Sequence, residues 1–282
     1  MKNNPVNFLG IEMLGKINCR LCGGSAQSSF EQKILNKYQI SYYLCDECGS
    51  LQTEKPFWLH EAYDPFNERF DTGQLIRSIN NAAFLSAIVS YLQLENELLV
   101  DYGCGSGLLT RLLRDIGLNA WGFDSYSAPR LALGFQKASL DGAGIINLCE
   151  VAEHFENPAQ SFDELFANKP ELLIVQTGIF EKSDPNWFYL ALDHGQHIFF
   201  YSHKSIEYLA RRHNIAATFL DGFIVFFKLP YLEKLFNPNT SKINSNLQKL
   251  LANAVPNFLS KLLINGYKYA VNDNSLLKTG SP

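Results

Sequence analysis

Apolar positions follow two different rhythms along this chain. Between residues 17 and 52 they come in short alternating runs, of which "YQISYYLC" (38–45) is the clearest. A period of two predicts strands with one covered face. From residue 74 the rhythm changes. Leu75, Ile76, Ile79, Ala83, Ala87, Ile88 and Tyr91 recur at helical spacing and predict a helix over 74–92 with one apolar face.

Strands and helices then alternate. A strand over 98–102 runs into a helix through "LLTRLLRDIG" that stops near Gly117. Further strands are predicted at "NAWGFDS" (119–125), "AGIINLCE" (143–150) and "ELLIVQTG" (171–178), and helices at "SFDELFAN" (161–168) and "SIEYLARRHN" (205–214). "IAATFL" and "FIVFFKL" are joined by Asp221-Gly222, the signature of a two-residue hairpin. One further strand is weakly written, and "GFQKA" (134–138) is its only candidate. Beyond residue 231, Ile243, Leu247, Leu250 and Leu251 precede Phe258, Leu259, Leu262 and Leu263. Pro256 is expected to separate two short helices that cover the core or a partner subunit.

Composition narrows the class. The 282 residues are 46% hydrophobic and 18% charged, enough to build a substantial core. A formal net charge of −4 argues against a generic nucleic-acid binder. No apolar run approaches the roughly 20 residues of a membrane span. "MKNNPVNFLGIEML" lacks an apolar core of signal-peptide length. The expectation is a cytoplasmic protein with reduced thiols and no membrane partner, with a homodimer as the oligomer to consider.

Four of the six cysteines form two C-x-x-C-G knuckles, "CRLCGG" and "CDECGS", with 22 residues between Cys22 and Cys45. Cys19, Cys22, Cys45 and Cys48 offer four thiolates, the closed arrangement of structural Zn²⁺. A redox pair and an empty site are the alternatives. Arg20, Lys33 and Lys37 are balanced there by Glu31, Asp46 and Glu47, which is no phosphate-binding stripe.

"LLVDYGCGSG" (98–107) is a strand running into a glycine-rich turn. Asp101, just before the first glycine, would repel a pyrophosphate and suits a ligand with a cationic amine, such as S-adenosylmethionine. Asp124, 23 residues on, stands where an acid accepts a ribose diol. With these features "VDYGCGSG", "GFDS", "INLCEVAEHFENP" (146–158) and "HGQHIFFYSHKSIEYLARRHNI" (194–215) resemble the class I S-adenosylmethionine-dependent methyltransferases over roughly 95–230. The resemblance implies an α/β fold, a seven-stranded Rossmann-like sheet with its last strand antiparallel. It divides the chain into a zinc ribbon (1–55), a lid and linking helix (56–94), a methyltransferase domain (95–230) and a helical extension (231–282). It places the donor on Asp101, Gly103, Cys104, Gly105, Asp124, Ser125, Cys149 and Glu150, covered by Thr72, Gly73, Arg77 and Tyr63 of the lid. A zinc ribbon ahead of such a domain resembles sugar C-methyltransferases, and the "CEVAEH" segment resembles ubiquinone-type O-methyltransferases.

The chemistry of the acceptor side is less defined. Glu150, Glu153 and His154 lie at i, i+3 and i+4, one face of a helix if one starts there. A hydrogen-bond network is the preferred reading and a divalent-metal site the alternative. Asp71 or Thr72 is expected to cap the 74–92 helix. His194, His197 and His203 gather near Tyr201 in sequence; His197 is the first candidate to take a proton from the acceptor, with Tyr201 its partner. The expected function is methyl transfer to a small molecule, with a sugar or nucleotide sugar as one candidate. A non-catalytic binding or assembly protein and an RNA methyltransferase that reads RNA with its ribbon are the alternatives.

Overall fold

The structure, a computed structural model, describes residues 15–63, 72–127, 129–182 and 184–280. The N-terminal part contributes β1 (Lys16–Asn18), β2 (Ser25–Ile34), β3 (Tyr38–Cys45) and β4 (Leu51–Thr53), then a short α1 (Leu59–Ala62). β1 to β4 form an antiparallel meander, with Ile40 and Tyr42 of β3 buried at alternate positions. The two knuckles are its tight turns: Gly23 and Gly49 donate back to the carbonyls of Cys19 and Cys45.

After α2 (Gln74–Leu92) come β5 (Leu99–Tyr102), α3 (Leu108–Asp115), β6 (Ala120–Phe123), β7 (Ile145–Cys149), α4 (Pro158–Ala167) and β8 (Leu172–Gln176). β9 (Phe199–Phe200), α5 (His203–Arg212), β10 (Ala216–Leu220) and β11 (Phe223–Phe227) follow, and α6 (Leu232–Leu235), α7 (Ser245–Ala252) and α8 (Ala254–Thr279) complete the described chain. The second sheet has the order β10-β11-β8-β7-β5-β6. β8, β7, β5 and β6 are parallel, and β11 runs antiparallel between β8 and β10. Its central strands are buried on both faces, as helices on either side require. Asp221 and Gly222, both at positive φ, make the expected hairpin turn.

Three expectations are corrected. The sheet has six strands among the described residues, not seven. The candidate at 134–138 is reduced to one parallel bridge between Gly122 and Gln136, because only Gly122 exchanges hydrogen bonds with Phe135 and Lys137. The C-terminal helices break at Asn253, not at Pro256, which sits in the first turn of α8, where a missing N–H costs nothing. Gly73, without a side-chain cap, stands at the N-cap of α2; Thr72 is exposed beside it, and Asp71 lies outside the described residues.

α2 is long and apolar enough to cross a membrane by length and composition alone, but it is a core helix here. Every residue from Asn81 to Val89 is buried, because the helix is covered by the sheet on one side and by α7 and α8 on the other. Leu75 and Ile76 of the predicted apolar face are instead exposed.

The two sheets are not independent. β9, from the second half of the chain, pairs antiparallel with β4, so that Leu51 faces Phe200 and Gln52 faces Phe199. Just beyond, Tyr201 bridges Ile179, three residues after the end of β8, and Phe180 donates to the Tyr201 carbonyl. The knuckle residues Cys19, Leu21, Cys45 and Cys48 share one core with Val100, Ile146 and Val175 of the parallel sheet.

Candidate active site

At the carboxyl ends of β5 and β7 lies a cavity of about 180 Å³, lined by Gln74, Arg77, Ser78, Asp101, the loop from Gly103 to Ser106, Leu108, Leu109, Cys149 and Glu150. The loop needs its glycines. Gly103, at φ 72°, faces Val151, whose methyl would lie 2.7 Å from an added Cβ. Burial pushes the Asp101 carboxyl up to about 7, although Thr110 donates to its Oδ2 at 2.9 Å. Asp124 ties the loop down: its Oδ2 accepts from Gly105 N–H at 2.9 Å, and its Oδ1 accepts from Tyr126 and Ser127 N–H. Oδ1 is thereby filled, while Oδ2 keeps a further lone pair for a ligand.

The cavity thus brings together Arg77, Asp101, Gly103, Cys104, Gly105, Cys149 and Glu150 of the expected donor residues. Asp124 joins them through Gly105, while Thr72, Gly73 and Ser125 do not line the cavity. Tyr63 stacks on Tyr126 with ring centroids 5.8 Å apart and meets His154 edge-on at 6.2 Å. Residues 64–71 of the expected lid lie outside the described residues.

Next to the cavity is a second cluster. Glu150, Glu153 and His154 do not share a helix face as the spacing suggested, because only a 3₁₀ turn spans Ala152–His154 and Glu150 precedes it at φ 55°. The two carboxylates converge instead on Tyr189, a residue the sequence reading missed, while the His154 ring lies against His197. The Tyr189 hydroxyl lies 2.8 Å from both Glu150 Oε2 and Glu153 Oε1. One phenolic hydrogen cannot serve two carboxylates, so this contact stands when one of them keeps its proton. Burial raises both carboxyls, Glu150 to about 7, and each Glu opposes ionisation of the other or of Tyr189. Gly178 makes room for Tyr189: an added Cβ would lie 2.4 Å from its ring.

His197 joins from the segment before β9. Its Nδ1 lies 2.7 Å from the Tyr189 carbonyl oxygen, which can only accept, so Nδ1 carries the hydrogen. Nε2 is left as a lone pair, 3.8 Å from Glu153 Oε1. Burial lowers the His197 pKa and holds the ring neutral. His154, half-buried and pushed down to about 3 by desolvation and by His197 and His194, has an Nε2 without a hydrogen-bond partner. Glu153, His154 and His197 each present a ligand atom, all within 4.8 Å of one another. One carboxylate and two neutral imidazoles, one of them orphaned, fit a divalent cation.

Tyr201 and His203 are not part of this cluster. Tyr201 is fully buried, and its hydroxyl donates to the Ala152 carbonyl at 2.9 Å, which spends it on holding the turn below the site. His203 begins α5 and packs edge-on against Phe219.

The four knuckle thiols stand close behind. Cys19 and Cys48 sulfurs are 3.6 Å apart, Cys22 and Cys45 sulfurs 3.5 Å. Tetrahedral zinc with bonds of about 2.3 Å places its sulfurs just under about 4 Å apart, so the four fit that ion. Arg20, inside the first knuckle, sends its guanidinium to the carbonyls of Ile198, Thr53 and Glu156. Ile198 in turn donates to the Glu153 carbonyl. Trp58, also buried, donates to the Gly195 carbonyl, and Gln196 to that of Ala62. The backbone around His197 is therefore held from the N-terminal part on both sides, by the first knuckle and by α1. No local spacing could have shown Arg20, Trp58 or Tyr189, because each acts across more than 30 positions of sequence.

Residues 75–218, just over half of the chain, match a family described as a methyltransferase domain. Among solved structures, the chain is similar to the methyltransferase domain of bacterial CtHen1, 26% identical with a TM-score of 0.38, over 52% of this chain and 99% of that one. It is also similar to magnesium protoporphyrin IX methyltransferase of Synechocystis PCC 6803 with bound SAH (15%, TM-score 0.37, 52% and 82%). A third is human N-acetylserotonin methyltransferase in complex with SAM (14%, TM-score 0.43, 62% and 60%). No curated protein matches the chain.

Proposed function

The chain belongs to this methyltransferase domain family; from that premise we propose that it uses S-adenosylmethionine to methylate a hydroxyl of a small molecule, with a sugar or nucleotide sugar as one candidate. The observation that carries this reading is the Nε2 lone pair of His197, presented beside Glu153 and linked through Tyr189 to Glu150 on the wall of the donor cavity. A neutral imidazole so placed takes the hydroxyl proton as the methyl arrives. The donor's methionyl ammonium pairs with Asp101, its ribose with Asp124, and the glycine turn lets its sulfonium approach the backbone. In-line positioning supplies most of the rate, since the sulfonium is already activated.

Glu153, His154 and His197 are the residues that would hold a divalent cation. Bound there, it would occupy the His197 Nε2 lone pair and so replace the base: as a Lewis acid it would lower the pKa of the acceptor hydroxyl, an alternative to proton transfer to His197. Cys19, Cys22, Cys45 and Cys48 would hold a structural Zn²⁺ with no open position.

Calorimetric titration with S-adenosylmethionine, S-adenosylhomocysteine and NAD tests the donor half. Binding of the first two and not the third is expected. A mass-spectrometric screen of hydroxylated acceptors, nucleotide sugars first, with and without chelator, tests the acceptor half. Donor binding without any methylated product would overturn the acceptor reading; product equally abundant from a His197→Ala chain would overturn the role of His197.

A further inference from the structure

The outward face of α8 has no part in the site above. Its inward face carries Phe258, Leu262, Gly266 and Asp273, which pack toward α2 and α3. On the opposite side Leu263, Ile264, Tyr267 and Val271 are 85%, 75%, 86% and 46% exposed. Their spacing of one, three and four residues gathers them into one stripe.

The charges around that stripe have one sign. Asp273 is the only carboxylate of the helix, and it is turned inward: Arg114 grips both its oxygens at 2.6–2.7 Å, and Arg111 reaches Oδ2 at 2.7 Å. The helix's outward charges are lysines, with Lys268 and Lys278 exposed beside the stripe. The asymmetry extends beyond the helix. Residues 231–282 hold six lysines against Glu233 and Asp273, in a chain whose net charge is −4.

We propose that this face of α8 docks on an anionic lipid surface. Leu263, Ile264 and Val271 enter the boundary between headgroups and acyl chains, and the Tyr267 ring stays at headgroup depth with its hydroxyl in water. Lys268 and Lys278 lay their stems along the surface and hold their ammonium groups among lipid phosphates. A second copy of the chain fits less well. Four side chains fall short of the roughly 20–30 residues a side of a stable interface. Pairing this face with itself would also set lysines near lysines, with no outward carboxylate on either helix to receive them.

The test is co-sedimentation of the full chain with vesicles of phosphatidylcholine alone or mixed with phosphatidylserine, beside sedimentation velocity without lipid. Binding to the mixed vesicles only, weakened by added salt, is expected. Each lysine is expected to contribute about fivefold, so K268E with K278E should reduce vesicle affinity roughly 25-fold or more. I264S with Y267S should abolish it and leave S-adenosylmethionine binding unchanged, which shows that the fold and donor site are intact. Failure to bind either vesicle, or binding equal in the variants, would overturn the proposal. So would a dimer that I264S with Y267S converts to monomer, which assigns the face to a second copy.

Discussion

The donor cavity and the acceptor cluster lie side by side but are built in opposite ways. The cavity's loop is local: Asp101, Gly103, Cys104 and Gly105 are consecutive or nearly so, and the nearest outside support, Asp124, ends the adjoining strand. The acceptor cluster is assembled from distance. Glu153 and His154 follow β7, Tyr189 belongs to the long segment after β8, and the backbone on either side of His197 is held by Arg20 of the first knuckle and Trp58 at the start of α1. A backbone turn sets the first; tertiary packing sets the second. Damage to the N-terminal sheet should therefore strike acceptor chemistry and spare donor binding.

The largest separation should come from His197→Ala. We expect kcat to fall about 10²–10⁴-fold, the usual worth of a positioned proton acceptor. Donor affinity by calorimetry should stay within about twofold, since His197 does not line the donor cavity and a neutral change away from it is small. Equal losses in both would break the comparison.

Next in size is the knuckle. Cys45→Ser should lower stability by roughly 3–5 kcal/mol if the proposed Zn²⁺ is held there, because such ligation is coupled to folding. Chemical denaturation should show one transition, as the knuckle cysteines share a core with the parallel sheet. Two transitions would mean that β9 does not join the halves.

Asp101→Asn addresses the local half. Removing one partner of a charge-assisted contact should weaken S-adenosylmethionine binding by about 1.5–3 kcal/mol and leave the acceptor cluster in place. The pH dependence has a definite sign. Folded, Asp101 keeps its proton up to about 7; its reference value is 3.8. The folded chain then holds the extra proton between those values, so this residue makes stability fall as pH rises from about 4 to about 7. A cationic donor favours the ionised form, so donor affinity should rise as pH passes through about 7, and Asp101→Asn should flatten that rise.

The smallest effect is expected at Arg20. Arg20→Met keeps the stem and removes the guanidinium bonds to Ile198 and Glu156. A loss of roughly tenfold in kcat, about 1.4 kcal/mol, with donor affinity unchanged, would place the knuckle's influence on His197. The kcat and affinity measurements together distinguish this from general destabilisation.

The same contrast explains what the sequence made legible. The glycine turn, the hairpin at Asp221-Gly222 and the 74–92 helix are written in neighbouring residues, and the structure has them all. The cysteine knuckles, too, carry their own spacing and bring their sulfurs together. The strand near 136 was faint because only one residue pair forms. Tyr201 stands near His197 in sequence, which makes it the visible candidate, yet its side chain is buried and its hydroxyl is spent on the Ala152 carbonyl. Tyr189 carried no signal, since its value depends on Gly178 leaving room and on two carboxylates arriving from the other side of β8. The outward stripe of α8 was hidden by an expectation of two short helices; a single helix of 26 residues exposes a face that two short ones would not.

The two-residue strand β9 also sets an order of events during synthesis. Ser202 must reach the Cys48 carbonyl across 154 positions of sequence. A chain emerging from the ribosome completes both cysteine knuckles early, but the edge of that first sheet stays open until residue 200 has left the exit tunnel. Translation at roughly 5–20 residues per second leaves that edge bare for many seconds. β4 is only three residues long, Leu51–Thr53, and so short an edge offers little for a neighbouring nascent chain to seize.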